Sequence, residues 1–187
     1  VLTEIAPDLK DKPIILQMPP SNDQNKTSPL DIAAFFIQES KDDGVTNLKL
    51  NKLIYLAHGY YWGNFQNPLI TDGELAEAWK YGPVYRSVHN VFGAFKSDNV
   101  PPAYAAISMD SISSDEEIGF LNQFWQTFKN ASAWYLVKML HEKGSPWDIV
   151  WNHQGGKRTT GSPIPDYLTR AYYTGQVREL EKANGSA

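Results

Sequence analysis

Four histidines, at 58, 89, 141 and 153, are the first residues to test for chemistry. No two stand three or four apart, the spacing that sets two metal ligands on one helical face. His58 has no acidic residue one helical turn away, so the histidines read as packing or surface residues. There is no cysteine. That excludes disulfide scaffolds, thiolate metal sites and cysteine nucleophiles. A Gly-x-Ser-x-Gly elbow and a Gly-x-x-x-x-Gly-Lys phosphate cradle are both absent. Gly155-Gly156-Lys157-Arg158-Thr159-Thr160 has a faint look of a phosphate loop, but the first glycine is missing at the required spacing and no apolar strand precedes it. Asp115, Glu116 and Glu117 follow Ser114, where acids serve as helix-start partners of the backbone dipole. No residue is assigned as catalytic, cofactor-binding or metal-ligating, and no cofactor is expected.

The formal net charge is −4, which gives no long-range attraction to nucleic acid or an anionic membrane. Lys49, Lys52, Lys80, Arg86 and Lys96 are scattered among acids, and no short basic recognition helix follows a tight turn. Nucleic acid is therefore not an expected partner. No apolar run approaches the roughly 20 residues that span a bilayer, and the first residues lack a basic-then-apolar leader pattern. A cytoplasmic protein without membrane contact is the expectation.

The chain of 187 residues suits one domain, and its 6 Trp, 10 Tyr and 8 Phe supply a substantial core. Residues 1–27 read as an extension with one strand-like stretch at 13–18. Ser28, Pro29 and Asp31 form a cap, first-turn proline and capping box, opening a helix with Ile32, Phe35 and Phe36 on its apolar face. Gly44 stops it. A second helix over 47–63 carries Leu50, Leu53, Ile54, Ala57, Tyr60 and Tyr61 at three-and-four spacing, with Thr46 or Asn47 as its cap. Leu69-Ile70, Asp72-Gly73 and then Leu75, Ala76 and Ala78 suggest a hairpin turning at Asp72-Gly73. Pro83 is expected to open a third helix. A strand is expected near 105–109. Helices follow from Ser114 through Phe128, over 130–141, briefly from Pro146, and over 163–173. The fold class is mainly α: a single compact domain of about six helices, with a small β hairpin inserted between the second and third. Its bounds are read as 28–175, followed by a tail at 176–187.

Several motifs recur in an order that resembles a known family. Leu48-Lys49-Leu50-Asn51-Lys52-Leu53-Ile54-Tyr55-Leu56-Ala57-His58-Gly59 is similar to its helix followed by Ala-x-Gly. Asn67-Pro68-Leu69-Ile70 resembles its short strand. Ala78-Trp79-Lys80-Tyr81-Gly82-Pro83-Val84 matches its hallmark Ala-Trp-x-x-Gly-Pro-Val. Ser145-Pro146-Trp147-Asp148 and Trp151-Asn152 resemble its closing Pro-Trp and Asn. These belong to the Panacea, or antitoxin SocA-like, domain family, formerly grouped with phage-associated proteins.

The resemblance implies an antitoxin that neutralises a cognate protein toxin by direct contact, and no enzyme. A phage or mobile-element accessory protein that binds a host factor is the alternative, and an enzyme with an unrecognised site is a third. Tyr, Trp and Arg dominate binding hot spots. Tyr61, Trp62, Tyr81, Tyr85 and Arg86 are accordingly the partner-binding candidates, expected to lie near one another. Trp79, Gly82 and Pro83 are expected to define the fold, with Trp79 as an aromatic plug. Trp125, Trp134 and Trp147 are assigned to structure. The loops at 99–113 and 154–161 are the fallback binding surface.

Overall fold

A computed structural model describes residues 26–107, 112 and 114–185, so the strand-like stretch at 13–18 lies outside the described residues. Helix α1 (Pro29–Ser40) starts as its sequence dictates. The Ser28 Oγ accepts from the Asp31 N–H at 3.3 Å, and the Asp31 carboxylate accepts from the Ser28 N–H at 2.6 Å. Ile32, Ala33, Phe36 and Ile37 are fully buried.

Helix α2 (Asn47–Phe65) is capped by Thr46. Every residue from Leu50 through Tyr61 is buried, so α2 is the hub of the domain rather than an amphipathic surface helix. Its C-terminal half receives α7 (Asp166–Gly185), the last helix. Glycine makes this approach possible, because a Cβ on Gly59 would collide with the Tyr173 ring. Tyr55 and Thr169 share a 2.9 Å hydrogen bond across the same seam. The last helix starts later and runs further than the 163–173 expectation. Thr169, Tyr173 and Val177, one turn apart, form its buried stripe.

Helix α4 (Asp115–Phe128) is capped by Ser114 and buries Phe120, Leu121, Phe124, Trp125 and Phe128 on one face. Helix α5 (Ala133–Leu140) is capped by Ser132. Ser145 caps α6, a single turn over Pro146–Asp148 that runs into a π turn at Ile149–His153. No helix among the described residues is long and apolar enough to cross a membrane.

The hairpin lies where expected in the order of elements, but not in register. β1 (Glu77–Trp79) and β2 (Gly82–Val84) pair antiparallel around Lys80-Tyr81, with Ala78 opposite Pro83. The turn is not at Asp72-Gly73. There the Asp72 carboxylate accepts from the Glu74 N–H, a local turn that leads into β1. Leu69 and Ile70 are buried but form no strand. Pro83 does not open a helix. It sits in β2, an edge strand of the order β2-β1-β3, where a missing N–H is tolerated. Helix α3 (Arg86–Phe92) begins three residues later, with Tyr85 at its N-cap. The third strand, β3 (Ser162–Pro163), pairs with β1 from far along the chain. The strand expected near 105–109 is instead a 3-10 helix over Pro102–Ile107, as far as the described residues go.

A candidate partner-binding site at the hairpin

Two consecutive polar residues of α2 hold the hairpin. The Tyr85 N–H donates to the Asn51 Oδ1 at 2.8 Å, and the Asn51 Nδ2 is fixed by the Asn47 carbonyl at 3.1 Å. The Lys52 Nζ donates to the Pro83 carbonyl at 2.6 Å. Both side chains are buried, Lys52 completely. Gly82 adopts φ +99°, a conformation that favours glycine, and a Cβ there would stand 3.2 Å from the Lys52 Cε. The Gly-Pro pair therefore lets the strand close onto the lysine. Burial lowers the Lys52 pKa from 10.5 to about 7, because the ammonium is taken out of water.

Lys52 forms the floor of a cavity of about 320 Å³. Lys80 from the hairpin turn, Lys96 from the turn after α3, and His89 from α3 also line it. Trp79 and Tyr81 are its aromatic walls, and among the described residues no carboxylate lines it. Trp79 is held from both sides. Its Nε1–H donates to the Glu77 carboxylate at 2.9 Å, its ring lies 4.7 Å from the His89 ring, and the Arg86 guanidinium lies 5.7 Å above it. Arg86 grips Glu77 through two bonds of 2.8 and 2.7 Å. The Trp147 Nε1–H donates to the Trp79 carbonyl at 2.8 Å, and His141 stacks flat on Trp147 at 3.6 Å. This anchors the hairpin to α6.

Beside the cavity, Tyr81 is 46% exposed and Trp134 60% exposed. Their rings meet edge to face at 5.4 Å. Two large exposed aromatics in contact form an apolar patch, which single surface aromatics do not. Trp134 thus departs from its expected structural role. It lies on α5 with its ring against the hairpin turn rather than in the core.

The five partner-binding candidates do not form one cluster. Tyr81, Tyr85 and Arg86 belong to the hairpin and the start of α3. Tyr61 and Trp62 lie on α2 nine residues or more beyond Lys52, about 14 Å along the axis. Tyr61 is 1% exposed, packs on Phe65 and Phe120, and donates its hydroxyl to Glu116. Burial, with Glu116 beside it, pushes its pKa well up. Trp62 is half-buried against His58 at 5.1 Å. Tyr85 is buried against Tyr55. Tyr81 and Arg86 alone of the five are exposed, and Arg86 is committed to Glu77. Trp79 is half-buried rather than a core plug, and its neighbour Ala78 is the fully buried strand residue. Gly82 and Pro83 occupy the closure onto Lys52 described above.

Sequence reasoning missed the convergence of Lys52, Lys80 and Lys96, which come from three separate elements. It also missed the role of His58. That side chain is 3% exposed, accepts from the Ile70 N–H at 3.2 Å, and has the Asp166 carboxylate 3.6 Å from its Nε2. His58 therefore clamps α2 to the following segment and to the start of α7. Its acidic partner is more than a hundred residues away, beyond any local pattern. Among the described residues no three His, Asp or Glu side chains are grouped to hold a metal.

The comparisons with known proteins agree with the motifs. The family model "Antitoxin SocA-like, Panacea domain" matches residues 50–148, just over half of the chain. Antitoxin SocA of Caulobacter vibrioides (strain NA1000 / CB15N) is 30% identical over 140 residues, covering 69% of this chain and 72% of the relative. No solved structure matches the chain. The chain belongs to the antitoxin SocA-like Panacea-domain family. Its functional class is that of an antitoxin, which implies a toxin protein as partner and suggests a non-enzymatic role.

Proposed function

We propose that this antitoxin neutralises its cognate toxin in the cytoplasm by direct protein–protein contact, without catalysis, and that the hairpin face makes the contact. The observation that carries the reading is the exposed pair formed by Tyr81, on a hairpin that Lys52, Asn51 and Trp147 pin to the core, and Trp134 of α5 against it. Rigid aromatic anchors lose little entropy on binding and supply most of the energy of typical interfaces. The buried candidates Tyr61 and Tyr85 act in this reading as supports, and Trp62 lies outside the face. The Lys52 amine, although it borders the cavity, is fully covered and held on the Pro83 carbonyl, and it acts in this reading as a support of the hairpin.

The test is co-expression with the product of the adjacent gene. That product alone should arrest growth, the wild-type chain should restore it, and the two should co-purify. The Tyr81→Ala, Trp134→Ala double variant should fold normally and fail to rescue. A harmless neighbour, or full rescue by the double variant, would sink the reading.

A further inference from the structure

The structure assigns the cavity beneath the hairpin as an acceptor for an acidic side chain: the toxin inserts an Asp or Glu carboxylate between Lys80 and Lys96, with its flanking apolar surface resting on Tyr81 and Trp134. This inference rests on the direct-contact reading and adds the chemistry of the partner.

Charge comes first. Lys52, Lys80 and Lys96 converge on one cavity, and among the described residues no carboxylate lines it. None of the three forms an ion pair with another described residue, although acids outnumber bases in the chain. Nearby, Arg86 is neutralised by Glu77 and points its charge at Trp79. The cation beside the cavity thus has a carboxylate partner, whereas those that line it have none among the described residues: Lys52 is held on the Pro83 carbonyl and Lys80 lies 5.2 Å over the Tyr81 ring. An incoming carboxylate supplies the counter-charge that the lining lacks.

Size and setting come second. A cavity of about 320 Å³ is at the small end of ligand sites. It suits one or two side chains rather than a nucleic-acid groove. Lys80 and Lys96 are exposed at the rim, where they can meet a carboxylate directly. Lys52 beneath them is fixed on the Pro83 carbonyl and contributes field rather than contact. The aromatic pair extends the surface beyond the cavity mouth, which a protein partner uses and a free anion does not.

The experiment uses the full chain and the purified neighbouring gene product. Wild-type binding is measured first by calorimetry and stopped-flow. Lys80→Glu, Lys96→Glu is then compared with Lys80→Gln, Lys96→Gln, each with its thermal melt. Rim charges act on association rate and its salt dependence. The reversal should weaken binding about tenfold or more with an unchanged melt, and the wild-type association rate should fall steeply with salt while that of the variants does not. One Asp→Lys or Glu→Lys change on the partner, found by scanning its acids, should restore binding to the reversed chain. No wild-type complex would remove the direct-contact reading and this inference together. A wild-type complex that tolerates both reversals within about twofold would overturn the acidic-insert inference alone. Competition by inorganic phosphate or a short oligonucleotide, with no partner acid able to restore binding, would also overturn it and assign the cavity to a phosphate-bearing ligand.

Discussion

At its N-terminal half, α2 turns Asn51 and Lys52 onto the hairpin, while about two and a half turns further on it buries Tyr61 among Phe65 and Phe120. The residue types suggest the reverse arrangement. An Asn-Lys pair belongs on a wet surface and a Tyr-Trp pair at a helix end suits a contact. In the fold the lysine is fully covered, the tyrosine is core, and the exposed aromatics that touch each other are Tyr81 and Trp134 on other elements. Side-chain type states what a residue can do, and the crossing of α7 at Gly59 and of the hairpin at Gly82 decides which end of the helix is free to do it.

The comparison breaks most visibly at Tyr61. Tyr61→Ala removes a buried aromatic and should cost about 3–5 kcal/mol of stability, leaving affinity per folded molecule unchanged. A chemical melt paired with calorimetry on the folded fraction checks it. If Tyr61→Ala keeps its melt and loses toxin, the far end of α2 is the contact after all.

Gly82→Ala comes next. At φ +99°, beside the Lys52 side chain, an alanine should destabilise by about 1–3 kcal/mol. Because the strain lies in the hairpin, hydrogen exchange at β1 and β2 should accelerate more than at α4. Uniform acceleration would mean that the hairpin is not a separately strained unit.

Tyr81→Ala and Trp134→Ala sharpen the near end. Each should reduce affinity by roughly 2 kcal/mol while stability stays within about 0.5 kcal/mol of wild type. The pair should be non-additive, since the rings touch. Additive losses would mean that the two rings meet the partner independently.

These variants also mark what was legible. Ser28 with Asp31, and Ser114 and Ser145, announce helix starts that the fold adopts, because a cap is made within four residues, whereas the helix expected from 130 starts only after the Ser132 cap. The hairpin was found and misplaced. Two turn signals compete, and Asp72-Gly73 is locally the stronger, whereas the choice of Lys80-Tyr81 depends on Gly82 meeting Lys52 thirty residues earlier. β3 and the His58–Asp166 contact have no local trace at all. The candidate site was half legible. Tyr81 was singled out, but Trp134 and the three lysines are assembled only by tertiary contact.

The smallest effect concerns the buried amine itself. In the unfolded chain Lys52 keeps its proton up to its ordinary 10.5, and in the fold burial releases it near 7. Between those values the unfolded state binds more protons, so raising the pH favours the folded state. Below 7 the folded protein bears the cost of the buried charge in full, and towards 10.5 that cost disappears. One proton changes stability by at most about 1.4 kcal/mol per pH unit. Lys49, lowered from 10.5 by partial burial against the pull of Asp43, adds a rise of the same sign just below 10.5, and other groups act elsewhere on the scale. Glu117, raised from 4.5 to about 7 by burial and then by Glu116, lowers stability as pH rises across its own window, which ends where that of Lys52 begins. The buried tyrosines Tyr55 and Tyr60, raised from 10.0 by burial, act above about 10. Denaturant melts from pH 7 to 9 should therefore show stability rising for the wild type, and Lys52→Met should flatten the rise. The absolute stability of that variant is a poor guide, because it also loses the bond to Pro83. The slope is the readout: a Lys52→Met variant that keeps the wild-type slope would mean that the proton is lost elsewhere. Toxin binding supplies the complementary measurement. An acidic insert in the cavity should hold the Lys52 proton, so the slope from pH 7 to 9 should shrink in the complex.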